Sequence, residues 1–298
     1  MRASRFMIIS LIGIILAAGL IAAPQARAEI YGLKSQASTT TASTSTTYLF
    51  KFQEDGSQFT TIGNVTLGGS AMDADGLAYN GAYGLLAYQL NYSAGSVISS
   101  QLISLNPSTA AATAVGTALS DKEIRGAAFI GSQLWVVDVT HNQLVQINPT
   151  SGVVIGTPTT MSGATINDFT DLAMAADGKV YLGGYSAGTN TIYQVNLATG
   201  ALTTVGSEST SGNAYAGLAF SPTQAANKLF NYEVNGYEDI DYWLLPNVSP
   251  VYPLYTNIPP SFNAGRGDLA SAVPIPPSVL LLGPGLLGLL ALRRKLGR

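Results

Sequence analysis

The 298-residue chain has no cysteine, a single histidine and only 10% charged residues. Without cysteine there are no disulfides, no thiolate metal sites and no cysteine nucleophile. Export does not require cysteine, so its absence leaves the compartment open. No nucleophile elbow, zinc spacing or phosphate-binding loop can be found either. Helical periodicity of useful length is missing outside the two ends. Basic residues are scarce where they would count. Of the 14, Arg2, Arg5 and Arg27 lie at the start, and Arg293, Arg294, Lys295 and Arg298 at the end. All 17 acidic residues fall between, so the body sets 17 acids against 7 bases. A nucleic-acid binder needs the opposite sign, so that class is excluded. Divalent cations or neutral glycans fit such a body better.

What is present begins with an export signal. Arg2 and Arg5 precede an apolar run from Phe6 to Ala23, and Ala26-Arg27-Ala28 fits a small-x-small cleavage site. Residues 1–28 therefore read as a signal peptide, and polar, strand-like sequence follows directly.

The body repeats. The segments "QEDGSQFTTIG" from Gln53, "NPSTAAATAVG" from Asn106, "NPTSGVVIGTP" from Asn148 and "NLATGALTTVG" from Asn196 share one register, with turn residues early and a β-rich run after. Upstream of the hairpins recur "DGLAY" at Asp75, "RGAAF" at Arg125, "TDLAM" at Thr170 and "AGLAF" at Ala216, whose small residues suit a crowded strand. A third strand follows each, as in "QLWVVD" and "KVYLGG". Four strands repeating at about 45 to 50 residues predict an all-β fold, a β-propeller with one blade per repeat. A fifth innermost strand, "RGDLAS" (Arg266–Ser271), lies late, while the N-terminal stretch has the other three strands of a blade. The reading is a five-bladed propeller over 29–273, its C-terminal strand closing the N-terminal blade, flanked by apolar helical ends. A sixth, degenerate blade around Val248–Ile258 is the alternative. The Ser/Thr-rich tract Ser35–Thr47 becomes a loop between two strands of the first blade.

The end of the chain, 274–298, has three parts. "VPIPPS" (Val273–Ser278) comes first, then an apolar stretch, then Arg293-Arg294-Lys295. The apolar part, Val279–Leu292, would cover about 21 Å as a helix, against about 30 Å of hydrocarbon. It also carries Gly283-Pro284-Gly285, which weakens a helix. It suits transient insertion with the basic cluster held in the cytoplasm and the body outside. This tail resembles the PEP-CTERM sorting domain of Gram-negative bacteria, in its VPxP form. Val273, Pro274, Ile275, Pro276 and Pro277 correspond to the motif, with Ile275 where the name-giving form has Glu. Arg293, Arg294 and Lys295 correspond to the membrane stop. The resemblance implies processing by an exosortase, then release to the cell surface or extracellular matrix.

Candidate site residues are few. Four positions before Leu77, Ala127 and Leu172 stand Asp73, Glu123 and Asp168, in loops expected to converge on one channel mouth. Converging carboxylates suit a hard cation such as Ca²⁺, although Asp also favours turns. Asn235-Gly236 is a hairpin signal that would set Glu233 against Glu238, like charges facing each other. His141 stands in "DVTHNQ", a turn near Asp138, and is the weak catalytic candidate. Arg266-Gly267-Asp268 falls inside a predicted innermost strand, unsuited to cell adhesion. Two functions remain. The first is an exported binding or structural protein of the surface or matrix, with extracellular polysaccharide as a partner. The second is an exported propeller lyase or hydrolase acting on a polysaccharide or lactone.

Overall fold

A computed structural model of the chain describes residues 29–36, 46–167, 169–209, 214–221, 223, 228–234, 239–245, 247–255 and 264–272. The signal peptide, the helical ends and the sorting tail lie outside these residues, as do Asp168 and Glu238. Among the described residues every regular element is a strand, and no helix is long and apolar enough to cross a membrane.

Strands are numbered in chain order. The first sheet joins β1 (Glu29–Gln36), β2 (Thr47–Gln53) and β3 (Thr60–Asn64) to the last strand, β23 (Ala264–Ala272). The second holds β4 (Thr66–Leu67), β5 (Ser70–Ala71), β6 (Ala74–Asn80), β7 (Gly84–Ser93), β8 (Ser96–Leu105), β9 (Ala111–Ala114) and β10 (Leu119–Ser120). The third runs β11 (Ile124–Ile130), β12 (Gln133–Asp138), β13 (Gln143–Ile147), β14 (Val154–Thr160). The fourth runs β15 (Thr170–Met174), β16 (Val180–Ser186), β17 (Thr189–Val195), β18 (Leu202–Ser209). The fifth runs β19 (Ala214–Phe220), β20 (Lys228–Val234), β21 (Ile240–Leu244), β22 (Asn247–Tyr255).

The arrangement is a β-propeller in which four sheets are regular four-stranded blades. The second sheet departs from the expected repeat. It keeps the run β6-β7-β8-β9, but β4 lies parallel on β9, β5 turns back on β4 through Gly68-Gly69, and β10 adds to β8. Both glycines have positive φ, 60° and 85°, which lets the chain reverse tightly and spend its crossing residues on an outer edge. The region around Val248 is the outermost strand of the fifth sheet and begins no sixth repeat.

Hydrophobic alternation explains the cores. Outermost strands such as β14 and β18 are largely exposed or half-buried, and the facing residues of consecutive sheets pack against each other in separate clusters. One joins Phe50 and Phe52 of the first sheet to Phe230 and Tyr232 of the fifth. Another joins Leu182 of the fourth to Val137 of the third. β19 is buried at all seven positions because sheets flank it on both faces, and its small residues, AYAGLAF, make that possible.

The late strand does close the first blade: β23 pairs antiparallel with β1 from Glu29↔Ala272 to Gln36↔Ala264. Ser35 and Thr47 face each other in β1 and β2, so the Ser/Thr tract is a connection within the first sheet. Their hydroxyls meet at 2.6 Å.

Asn235 and Gly236 lie outside the described residues, but the strands that flank them are shifted by one residue from the register a two-residue turn would set. Tyr232 pairs with Ile240, Asn231 with Asp241, and the Glu233 N–H donates to the Asp239 carbonyl at 2.8 Å. The turn signal would have set Phe230 opposite Asp241. The observed register sets Tyr232 opposite Ile240 and Asn231 opposite Asp241, and burial outweighs the local turn preference.

Candidate functional site at the channel

Five innermost strands, β6, β11, β15, β19 and β23, pack side by side in a closed ring. Two carboxyl groups sit where they meet. Asp171 Oδ1 accepts from the N–H of Ala127 at 3.2 Å and of Leu172 at 2.6 Å, and its Oδ2 from Leu218 N–H at 2.6 Å. That one side chain ties β15 to both neighbours. Asp268 accepts from Leu77 N–H at 2.5 Å and from Leu269 N–H at 2.6 Å, tying β23 to β6. Both are fully buried and hydrogen-bonded to each other. Burial raises Asp171 to about 8; it raises Asp268 well above the usual carboxylate range, and the charge of Asp171 adds to this. With both carboxyls raised by burial, the pair holds a proton in the hydrogen bond between them.

The neighbours of these aspartates have no room for side chains. A Cβ on Gly126 would meet Asp171 Cα at 2.6 Å, and one on Gly217 would meet the Asp268 carbonyl carbon at 2.7 Å. Close backbone approach is what brings the carboxyls within reach of three strands.

The expected cation ligands are brought to this end of the ring, but each described one already has a positive partner. Asp73 Oδ2 takes Arg266 Nη2 at 2.6 Å and the Tyr92 hydroxyl at 2.5 Å. Burial and Asp73 push that hydroxyl up to about 12. Glu123 Oε1 takes Arg125 Nε at 2.8 Å, with Nη2 on the same oxygen. Arg125 also reaches Asp75 Oδ2 at 3.2 Å. Burial raises Asp75 to about 7, opposed by Arg125 and Arg266. A Ca²⁺ ion here would have to displace two guanidinium groups. Among the described residues no group of three or more histidine or acidic side chains is arranged to hold a metal ion.

His141 lies in the β12–β13 turn. Its Nδ1 is 2.8 Å from Asp138 Oδ2, and its Nε2 is 3.4 Å from Asp121 Oδ2. Asp138 is fully buried and also accepts from Lys122 Nζ at 2.8 Å and Glu123 N–H at 3.3 Å. His141 and Glu123 thus share one face, linked through Asp138. The imidazole is oriented by a buried carboxylate and a third exposed, an arrangement capable of proton transfer.

At the opposite ends of the innermost strands a cavity of about 320 Å³ opens. Leu77, Ala127, Leu172, Leu218 and Leu269 line it, and Tyr79, Phe129 and Phe220 form walls beside Asn80, Ser221 and Ser271. Among the described residues no charged side chain lines it.

Sequence reasoning took the positions four before the repeated apolar anchors Leu77, Ala127, Leu172, Leu218 and Leu269, and so missed Asp171 and Asp268. One position before them the residues run Gly76, Gly126, Asp171, Gly217, Asp268. That alternation of no side chain and a carboxyl was the available signal.

No family model and no curated protein sequence matches the chain. Solved structures do resemble it. Glutaminyl cyclase of Myxococcus xanthus aligns at 16% identity and a TM-score of 0.39, covering 62% of this chain and 81% of that one. TolB of Acinetobacter baumannii aligns at 14% and 0.45, covering 79% of this chain and 54% of TolB. At these scores nothing of their activities or ligands passes to this chain.

Proposed function

We propose that the chain is an exported binding protein of the cell surface or extracellular matrix, sorted through its tail by an exosortase-type system. The observation that carries this reading is where the fold ends. β23 completes the first blade at Ala272, one residue before Val273-Pro274-Ile275-Pro276-Pro277. A cut in that motif would therefore remove no strand. On the same reading the second sheet counts as a fifth, elaborated blade, and its additions decorate one edge without altering the ring. The binding site is the charge-free cavity, whose aromatic walls and small polar groups suit a neutral glycan segment. Intact-mass measurement on protein from the extracellular fraction tests the sorting. The expected species runs from about Glu29 to about Pro274. Recovery of chains that keep Arg293–Arg298 overturns it.

A second reading, a lyase or hydrolase acting on polysaccharide or lactone, draws on the Asp138–His141 pair. His141→Ala should then abolish turnover in a screen of such substrates while leaving the melting temperature within a few degrees. No turnover by the wild-type chain across the screen rejects it.

A further inference from the structure

The sequence pointed to a cation at the channel mouth, where the structure supplies arginines. The unmet demand for positive charge lies elsewhere, on the face of the fifth sheet that packs against the fourth. Asn231 and Asp241 are direct cross-strand partners in β20 and β21. They are 0% and 1% exposed. Among the described residues, none of their four side-chain polar atoms has a hydrogen-bond partner. Among the described residues, the groups acting electrostatically on Asp241 are Glu233, Asp239 and Glu208, every one acidic. Glu233 is two residues along the same face of β20, and Tyr215, opposite it on β19, donates its hydroxyl to Glu208.

We infer that Asp241 and Asn231 bind a hard divalent cation, Ca²⁺ foremost, between the fourth and fifth sheets. An isolated buried carboxylate is costly, and so is an unpaired buried amide. A proton would neutralise Asp241, but in this geometry no hydrogen bond joins its carboxyl to the Asn231 amide. A hard cation accepts both Asp241 oxygens and the Asn231 carbonyl oxygen at once, with water completing its shell. The surrounding acids supply the negative field that draws it in. One carboxylate and one amide make a modest site, in the range of about 10⁻⁴ to 10⁻³ M typical of extracellular modules.

Trp243 supplies a reporter. It lies two residues from Asp241 on the same strand face and is fully buried; the chain's other tryptophan, Trp135, is in the third sheet. The purified chain is titrated with Tb³⁺ under tryptophan excitation, then with Ca²⁺ as competitor. Sensitised emission should saturate, fall as Ca²⁺ is added, vanish in Trp243→Phe and persist in Trp135→Phe. Asp241→Asn should weaken Tb³⁺ binding by roughly tenfold or more, since ligand charge sets affinity in such sites. Asn231→Asp, which adds a carboxylate opposite Asp241, should melt lower than wild type in chelator and recover in millimolar Ca²⁺. That variant decides the matter if Asp241→Asn fails to fold. Absence of saturable emission, emission untouched by Asp241→Asn, or an Asn231→Asp chain indifferent to Ca²⁺ overturns the site and leaves a proton or water at Asp241.

Discussion

Asp171 and Asp268 touch at the centre of the ring because one of them keeps its proton. Five backbone N–H groups feed their oxygens, so the pair acts as a polar staple among strands that have no side chains to spare. A carboxyl whose folded value is raised binds a proton the unfolded chain releases. Its stabilisation is complete below the unfolded value, about 4, and is lost as pH rises through the folded one. Asp75 at about 7 and Asp171 at about 8 both shift this way. Thermal melts should therefore fall steadily from about pH 5 to about pH 8.5, and Asp268→Asn, which cannot ionise, should flatten that slope. A melting temperature that rises over this interval would contradict the shared proton. None of this was legible from composition. The residues stood inside quoted repeats, but which of the two carboxyls faces the axis depends on how closely two backbones approach. The carboxylates read as cation ligands, Asp73 and Glu123, are held by arginines instead. Their arginines, Arg266 and Arg125, come from positions three and two before the repeat's apolar anchor and pair only once the ring is closed.

At the scale of elements, the repeat pattern placed the strands well. The three N-terminal segments, the late closing strand and the turns at Asn106, Asn148 and Asn196 all appear where alternation and turn residues put them. In each turn the Asn side chain accepts from a backbone N–H two residues on, at 2.8 to 3.0 Å, which is why that residue opens the hairpin. The misjudged element was the β20–β21 hairpin, where a strong two-residue turn signal lost to the burial of Ile240 against Tyr232. Innermost strands impose a different rule, set by backbone approach. Gly126→Ala should cost about 1–3 kcal/mol, because its methyl would have to displace the Asp171 backbone. Gly131→Ala, in an open turn with φ of 62°, should cost only about 1 kcal/mol, the strain of the left-handed conformation. Chemical denaturation of the two variants checks the order; equal losses would mean that the ring is looser than the backbone spacing requires.

For the propeller body, Ala28–Val273, the seam lies between the first and fifth sheets. The β1–β23 ladder closes it on one side. On the other, Glu54 reaches from the β2–β3 connection, accepting from Ser221 Oγ and, at 2.6 Å, from Thr223 Oγ1, while Lys228 Nζ donates to the Glu54 carbonyl at 3.2 Å. Truncation after Asn263 removes the ladder and Asp268 together. It should cost several kcal/mol of a total of about 5–15, whereas truncation after Val273 should leave the melting temperature unchanged. Matching melts for the two chains would dissociate closure from stability.

Closure joins positions near 30 to positions near 270, so the contacts that finish the molecule are the most distant in sequence. The nine residues of β23 are thus a detachable part with a prepared berth. A chain ending at Asn263 should present the open edge of β1 and the vacant end of the Asp171 hydrogen bond together. A synthetic peptide of Ala264–Ala272 added in trans should dock there and restore the melt, by fragment complementation. The same peptide carrying Asp268→Ala should dock poorly, and the ratio of the two dissociation constants reads the strength of the axial staple directly.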